Sequence, residues 1–449
     1  MLASFLNCFK IPELKFKILF TLGIIAAYRV GCFIPTPGVN GAMLKQYFDQ
    51  INTATGGGSV FGIMNMFSGG ALEKLTVFSL GIMPYISSSI ILQLLTAVIP
   101  ALEKIAKEGQ AGYHKINQYT RYGTLILAVV QSFFIALWLE SPNAFQGLQI
   151  VNNPGWVFRL TTVLTLCCGT LLLMWFGEQI QEKGIGNGIS LVIAAGILSA
   201  APTAIRHLIL LLSPASGGAR QLQPLTVVIM IFFLVGVILS VTLITQAQRK
   251  IPVQYARRIV GRKVYGGQST YIPLKVDTSG VIAIIFAQSI ILFPATLASF
   301  IPHPGFQNFA HVISRGNIFY YSIYGLLIVF FCYFYTAIVF NPIDVAENMK
   351  KHGGFIPGVR PGTQTADYLD FVMTRITLAG ALFICAIAVM PDAIMASFKV
   401  PYLVASFFGG TGVLITVGVM LDTMKQIESH LVMRHYDGFL KTGQLRGRR

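Results

Sequence analysis

Charged side chains are scarce in this sequence of 449 residues. Asp, Glu, Lys and Arg together make up 11% of the chain, whereas apolar residues make up 54%. An ordinary globular domain carries about 25% charged residues. So few charges cannot cover a soluble protein of this length with a polar surface, so the composition predicts a polytopic membrane protein rather than about three soluble domains.

Acidic residues are the scarcer of the two charge types. The chain has 17 acidic and 33 basic residues and a formal net charge of +16. An excess of this size predicts anionic partners, which include anionic phospholipid, nucleic acid and acidic protein surfaces.

Motifs of common enzyme and cofactor sites are also missing. No GxxxxGK[ST], HExxH or GxSxG sequence occurs, and the six cysteines form no CxxC pair. The sequence GIGNG at 184–188 lacks the spacing of a dinucleotide loop, so we interpret it as a tight turn with Asn187 near a helix N-cap. We therefore expect neither an enzyme nor a cofactor or metal site. The first 17 residues lack an apolar core, so we expect no cleaved signal peptide.

Ten apolar segments are long enough to cross a membrane as helices. They lie at 16–36, 76–98, 119–140, 158–178, 186–205, 224–246, 279–301, 318–341, 372–392 and 402–422. If these segments alternate in direction, 25 of the 33 basic residues fall on one face, which also holds both termini. Lys and Arg accumulate on the cytoplasmic side of membrane proteins, so both termini are predicted to be cytoplasmic.

Charge is almost absent within the predicted spans. No carboxylate lies mid-span, and Arg29 is the only basic residue well inside one. Ion-coupled transporters normally carry charged groups at the midplane, so this absence argues against an ion-coupled solute transporter and favours a passive conduit. An intramembrane enzyme or insertase is the other alternative, and it would need a catalytic pair or a hydrophilic groove.

The segment 247–278 has more basic residues than orientation requires. Prolines 252 and 273 flank its tip, and Gly266–Gly267 provides a turn. This pattern predicts a projecting hairpin that docks onto an anionic surface, although a solvated loop that only sets topology or meets lipid headgroups is the alternative. The seven basic residues of the segment are Arg249, Lys250, Arg257, Arg258, Arg262, Lys263 and Lys275.

Two further patterns have both a structural and a functional interpretation. The Gly-rich stretch 53–75 is too short to cross with the span that follows, so it is either a surface loop or a re-entrant segment that stops a pore. Ile82 and Ile86 share the spacing of one helix face, as do Ile189 and Ile193. Such isoleucines usually pack a bundle, but they also suit a hydrophobic constriction that excludes water.

Six long motifs resemble the SecY family of bacterial protein-conducting channels. The resemblance extends from about residue 14 to about residue 440. The motifs are SGGALEKLTVFSLGIMPYISSSIILQLL at 68–95, KINQYTRYG at 115–123, GEQIQEKGIGNGISLVI at 177–193, QSTYIPLKV at 268–276, FNPIDVAENMKKHGGFIPGVRPG at 340–362 and MTRITLAGAL at 373–382.

This resemblance implies an all-α membrane protein with ten transmembrane helices around an hourglass pore. Two pseudo-symmetric halves are implied, 1–205 and 206–449. A plug is implied at about 61–75, including Phe67, Ser68, Gly69 and Gly70, although the TATGGG sequence upstream departs from the expected pattern. The implied pore ring consists of Ile82, Ile86, Ile189, Ile193, Ile285 and Ile415. Ser87 and Phe293 are implied to face each other across a lateral gate between the second and third spans and the seventh and eighth.

The resemblance also implies the function and its partners. The loops 247–278 and 342–371 would receive the SecA ATPase motor or the ribosome, with Arg262 and Lys263 at the tip of the first loop and Arg360 as the key arginine of the second. SecE and SecG are the implied partner subunits, and polypeptides with a signal sequence are the implied substrates. The expected location is the bacterial cytoplasmic membrane. The chain would conduct unfolded polypeptides across this membrane and release transmembrane segments sideways into lipid, without catalysis of its own.

Overall fold

The computed structural model describes residues 11–55, 60–141, 145, 149–212, 223–255, 258–260, 263–265, 269–300, 305–306, 312, 318–398 and 400–442. Its first ten helices are α1 (Pro12–Gly31), α2 (Gly41–Thr55), α3 (Val60–Phe67), α4 (Met83–Val98), α5 (Pro100–Lys107), α6 (Gln110–Glu140), α7 (Trp156–Lys183), α8 (Gly188–Ser199), α9 (Ala201–Leu212) and α10 (Pro224–Gln246). The later helices are α11 (Val281–Phe300), α12 (Ile318–Val339), α13 (Pro342–Lys351), α14 (Thr363–Phe398), α15 (Tyr402–Phe408) and α16 (Thr411–Thr442). The strands are β1 (Gln248–Tyr255), β2 (Arg258–Val260), β3 (Lys263–Tyr265), β4 (Ser269–Lys275) and β5 (Gly354–Phe355).

Eight helical segments within these described ranges are long and apolar enough to cross a membrane. They coincide with the third to tenth predicted spans. The most hydrophobic of them, α10, has a mean hydropathy of 3.1 over its most apolar 18 residues, of which only 17% are buried, so it lies at the outside of the bundle. By contrast, 72% of the corresponding stretch of α11 is buried, which places this helix among its neighbours.

The first two predicted spans differ from the other eight. The helix α1 carries Lys15 and Lys17 near its start and Arg29 in its last turn, so it is more highly charged than the apolar stretches of the other eight. The second span was predicted over 76–98, but residues 76–82 form turns and the helix begins only at Met83. Gly81 has a positive φ of 59°, which an α-helix does not accommodate, so the prediction was seven residues too long. A bend of 101° separates α4 from α5.

Two other predicted spans are broken helices. The fifth, predicted as 186–205, consists of α8 and α9, which meet at Ala200. The tenth, predicted as 402–422, is broken between α15 and α16 by Gly409 and Gly410. Gly410 has a φ of 88°, and a Cβ there would overlap the ring of Pro391 on α14. The close approach of the backbone at Gly410 to α14 therefore requires glycine at this position.

The central helix α11 packs against helices from both ends of the chain. Its neighbours include α4 and α6 on one side and α12 and α16 on the other. The pair α4 and α6 is joined tightly, because the Ser88 hydroxyl donates to the Thr120 carbonyl oxygen at 2.9 Å. Gly123 lies so near that a Cβ there would overlap the Ser88 Oγ atom.

The prediction of a hairpin at 247–278 is confirmed. Strand β1 pairs with β4 in antiparallel register from Gln248↔Lys275 to Gln254↔Ser269. The prediction did not include the third strand, β5, which comes from the segment 342–371 and pairs Phe355 with Gln254. A hydrophobic core beneath the sheet joins the two segments. Its buried members are Ile251, Val253, Leu274, Met349, Ile356, Leu369, Val372 and Met373.

Candidate functional site

The structure brings the six predicted ring isoleucines into one hydrophobic cluster. Ile86, Ile193, Ile285 and Ile415 are buried there and lie on α4, α8, α11 and α16 respectively. Ile82 is equally buried but precedes α4 rather than lying on it, which corrects the predicted helix face. Its carbonyl oxygen still accepts from the Ile86 amide at 3.1 Å, so the two residues remain one turn apart.

The sixth isoleucine, Ile189, is only half-buried and packs against the edge of this cluster. The four buried helical isoleucines therefore come from four separate helices, and the cluster that contains them extends to Val237 on α10, Tyr324 on α12 and Ile384 on α14. β-Branched side chains have little rotational freedom, so isoleucines that converge in this way would suit a stiff apolar collar. Spacing along the sequence favoured ordinary bundle packing, and the prediction of a constriction came from the resemblance to the family. The convergence of these helices is compatible with that prediction.

The segment predicted as a plug contributes to the same cluster. Ile63, Met66 and Phe67 of α3 are buried among the isoleucines. The turn that follows is held by two hydrogen bonds between Asn65 and Glu73, which are eight residues apart. Asn65 Nδ2 donates to Glu73 Oε2 at 3.2 Å, and the Glu73 amide donates to Asn65 Oδ1 at 3.0 Å. This short helix and its turn thus form a compact, self-bonded unit that shares a hydrophobic cluster with the isoleucines.

Three N–H or O–H donors outside this unit bind the backbone of its turn, beside the Cys32 thiol, which lies 4.0 Å from the Ser68 carbonyl oxygen. Tyr28 Oη donates to the Ser68 carbonyl oxygen at 3.2 Å, and Arg29 Nη1 donates to the Gly69 carbonyl oxygen at 3.0 Å. Ser199 Oγ donates to the same Gly69 oxygen at 3.3 Å. We name these three hydrogen bonds the plug latch. It ties the turn to α1 and α8.

Glycine is required at the centre of the latch. Gly69 has a φ of 68°, and a Cβ there would come within 2.9 Å of both Tyr28 Oη and Arg29 Nη1. Sequence reasoning named Gly69 and Gly70 but missed Tyr28 and Ser199, and it left the partner of Arg29 open. The isolation of Arg29 inside an apolar span was the one signal that pointed to this contact.

The residues predicted at the lateral gate lie on two helices that pack together, Ser87 on α4 and Phe293 on α11. Ser87 is buried, and its hydroxyl has no hydrogen-bond partner among the residues described. Phe293 is half-buried.

The predicted docking residues are only partly described. Arg257 and Arg262 lie outside the described residues, and for Arg258 and Lys263 the backbone alone is described, in the paired strands β2 and β3. Arg360 is exposed, and its carbonyl oxygen accepts from Thr365 Oγ1 at 2.8 Å, which anchors the loop that carries it. Strand β5, five residues before Arg360, places both loops on the same small sheet.

A carboxyl group stands between the hairpin and the central helix α11. Asp277 Oδ1 accepts from the Gly280 amide at 2.7 Å and from Ser279 Oγ at 3.1 Å. Burial raises the pKa of Asp277, although these two hydrogen bonds act in the opposite direction. The Asp277 carboxyl therefore accepts hydrogen bonds from the residues that lead into α11, just after the end of β4, at a position where burial disfavours its ionised form.

Other chemistry is limited in the part of the chain that the structure covers. No group of three His, Cys, Asp or Glu side chains converges there as a metal site. The five cysteines described are free thiols. Asn187, predicted near a helix N-cap, accepts from the Ser190 amide at 3.3 Å, which confirms the prediction of a capped turn at GIGNG.

The fold and the site together define a class, a polytopic helical membrane protein in which the short helix α3 and isoleucines from four further helices share one buried hydrophobic cluster. The chain belongs to the SecY family, because the SecY family model matches residues 76–424. It is 48% identical to the protein translocase subunit SecY of Escherichia coli strain K12, over 97% of this chain and 96% of that protein.

Solved structures share the fold at much lower identity. A structure described as that of a protein-conducting channel covers 93% of both chains, with a TM-score of 0.64 and 18% identity. A second, a SecY protein described with a plug domain that stabilises the closed channel, has a TM-score of 0.61 and 20% identity, and covers 93% of this chain and 92% of its own. The ten-helix channel fold predicted from the sequence is thereby confirmed.

Proposed function

We propose that this chain is the channel subunit of a Sec protein translocase, and that the structure represents its idle, sealed form. The observation that carries this proposal is the convergence of six isoleucines and the plug helix in one buried cluster. A family relative with 48% identity over nearly its full length bears the name of a translocase subunit. Residues 1–205 and 206–449 are proposed as the two halves that part during transport.

The seal has two layers in this proposal. The collar of Ile82, Ile86, Ile189, Ile193, Ile285 and Ile415 excludes water and ions by dewetting, because its narrow apolar wall offers no hydrogen-bond partner. The plug at about 61–75 covers one side of the collar. The SecY protein with a similar fold is described as having a plug domain that maintains a membrane seal, and Phe67 and Ser68 are buried here as such a role requires.

Opening proceeds through the lateral gate. An apolar signal sequence enters between α4 and α11 at Ser87 and Phe293, separates the two halves and displaces the plug. A polypeptide then passes through the collar, whose side chains contact it without binding it tightly. A sufficiently apolar segment leaves sideways into lipid, since each buried CH₂ contributes about 0.8 kcal/mol.

The energy for transport is supplied by partners that dock on the basic hairpin. SecA or the ribosome would bind Arg257, Arg258, Arg262, Lys263 and Arg360. Ribosomal RNA would gain affinity from counterion release, and SecA from carboxylates facing the same cations. SecE and SecG are the proposed partner subunits. The proposed location is the bacterial cytoplasmic membrane, with both termini cytoplasmic and anionic phospholipid around the basic face.

A photocrosslinker at Ile193 tests this function. The chain is reconstituted into vesicles with SecE, and SecA, ATP and an arrested secretory precursor are added. An adduct that depends on both ATP and the signal sequence would place the polypeptide inside the collar. The matched control is a crosslinker at Phe232, which is 81% exposed on the lipid-facing α10. Folded, SecA-binding preparations that neither crosslink nor protect the precursor from protease would reject the channel in favour of a solute transporter.

A further inference from the structure

The N-terminal end of the plug lies in an aromatic cluster that is separate from the isoleucine collar. The Phe61 ring stacks on the Trp138 ring with centroids 5.1 Å apart and an interplanar angle of 17°. Its centroid is 5.6 Å from that of Phe300, and the Trp138 and Phe300 centroids are 5.4 Å apart. The three rings thus form a triangle of mutual contacts, each at a distance favourable for aromatic pairs.

The three rings come from three segments with different roles. Phe61 belongs to the plug helix α3, Trp138 lies at the end of α6, and Phe300 is the last residue of α11. The helices α6 and α11 pack together at the proposed lateral gate. The triangle therefore joins the plug to both sides of that gate at the ends of these helices.

A second layer of rings supports the triangle. The Phe145 centroid is 4.5 Å from that of Trp138, and the Phe48 centroid is 6.2 Å from that of Phe61. Trp138 and Phe300 are buried at 6% and 1% exposure, and Phe61 packs against them half-buried. The rings are thus held in place from behind and are not free to follow a departing partner.

We propose that Phe61, Trp138 and Phe300 form an aromatic clasp that couples the seating of the plug to the closure of the lateral gate. This inference rests on the proposed function, in which α6 and α11 separate and the plug moves away. Separation of the two helices breaks the Trp138–Phe300 contact and leaves Phe61 with only one of its two partners in the triangle. A seated plug therefore stabilises the closed gate.

The coupling acts in both directions. Because it is a free energy shared by two equilibria, a closed gate must favour a seated plug by the same factor. The plug latch does not supply this link, since it connects the plug turn only to α1 and α8. The clasp thus has a task distinct from anchoring, which is to make plug release and gate opening one cooperative event.

Substitution of Phe61 by leucine tests the clasp, because it removes both ring contacts of Phe61 within the triangle, together with the more distant contact with Phe48, and keeps an apolar side chain. The purified translocase is placed in planar bilayers, and the idle open probability is measured from single-channel currents. We expect Phe61→Leu to raise this probability about tenfold, the change that the loss of two aromatic contacts would produce. Phe61→Tyr keeps the ring and is expected to remain near the parent value.

The matched control is Phe133→Leu, the same chemical change on α6 at a half-exposed ring outside the triangle. It is expected to leave the open probability unchanged. In the double variant of Phe61 and Phe300, both changed to leucine, the effect should fall well short of the product of the two single effects, because each change already breaks the same unit.

The outcomes separate the clasp from the function on which it rests. Suppose that the parent and Phe133→Leu translocate a precursor, and that Phe61→Leu has the same idle open probability as both of them. The clasp is then wrong, and the proposed channel function is retained. If the Phe61 and Phe300 effects multiply independently, the rings are separate packing contacts and the coupling is also wrong. If the parent translocates no precursor, the proposed function itself fails. A precursor translocated by Phe61→Leu shows that this variant is folded.

Discussion

The plug latch makes a quantitative prediction at Arg29. In Arg29→Gln the guanidinium no longer donates to the Gly69 carbonyl oxygen, a contact of 3.0 Å in the parent. We expect the displaced position of the plug to become more populated, because the turn loses its charged donor. The visible consequence is a faster leak of ions through the idle channel.

The magnitude follows from the character of this one bond. Hydrogen bonds to charged groups contribute about 1.5–3 kcal/mol net. The lower end applies here, because Arg29 is only half-buried and the Gly69 oxygen keeps its bond from Ser199 Oγ at 3.3 Å. About 1.5 kcal/mol corresponds to about a tenfold shift in the plug equilibrium. Tyr28→Phe removes a neutral bond of 3.2 Å and should shift it by about threefold.

Chloride influx into proteoliposomes, followed by quenching of an entrapped dye, measures the leak. Lys74→Gln is the matched control, since the Lys74 ammonium lies 4.5 Å from the Phe33 ring and Arg29 lies on the same ring at 5.8 Å. It removes an equal charge nearby without breaking the latch. Equal leak rates for Arg29→Gln and Lys74→Gln would refute the latch and leave only a general effect of charge.

Three other predictions concern the collar, helix packing and pH. Ile193→Ala leaves a cavity at a fully buried site, so it should lower the free energy of unfolding by about 2–5 kcal/mol and raise the idle ion leak. Ile193→Leu should lower the free energy of unfolding by less than about 1.5 kcal/mol. Thermal unfolding and chloride influx check both variants, and an unchanged leak in the alanine variant would contradict the collar. Gly123→Ala should lower the free energy of unfolding by about 1–3 kcal/mol, because the added methyl group overlaps Ser88 Oγ. Adding Ser88→Ala should recover part of the loss in melting temperature. A double variant that is no more stable than Gly123→Ala would show that the overlap with Ser88 is not the cause. Because the pKa of Asp277 is raised, the folded protein binds the carboxyl proton more tightly than the unfolded chain does. The free energy of unfolding should therefore fall as the pH rises above the ordinary carboxyl pKa of 3.8, and Asp277→Asn should flatten this part of the pH profile of the melting temperature. Parallel profiles for the parent and the variant would contradict the pKa shift.

Local sequence patterns predicted much of the fold. Eight of the predicted spans coincide with helices long and apolar enough to cross a membrane, because hydropathy over about 20 residues is a property of the segment itself. The hairpin at 247–278 could also be predicted from local sequence, because its prolines, glycines and β-branched residues act within the segment itself. The errors lie where helices stop inside apolar runs, at Gly81, Ala200 and Gly410, since apolar composition does not report a break in backbone geometry.

The site could be predicted only in part. The resemblance to a family supplied the six isoleucines, the plug and the gate residues, and the structure brings the isoleucines and the plug together. The donors of the plug latch were not predicted, because a hydrogen bond from Tyr28 to the Ser68 oxygen joins residues 40 positions apart. Ser199 is separated from Gly69 by 130 positions, and no spacing rule connects them.

The amino-acid sequence by itself determined that this chain is a multi-span membrane protein with a basic face. Scarce charge, long apolar runs and clustered lysines and arginines follow from composition and order alone. Only the tertiary structure decided which side chains meet. Phe61 and Phe300 contact each other across 239 positions because three helices end at one place. A contact of this kind depends on how whole helices pack, so it exists only in the folded chain.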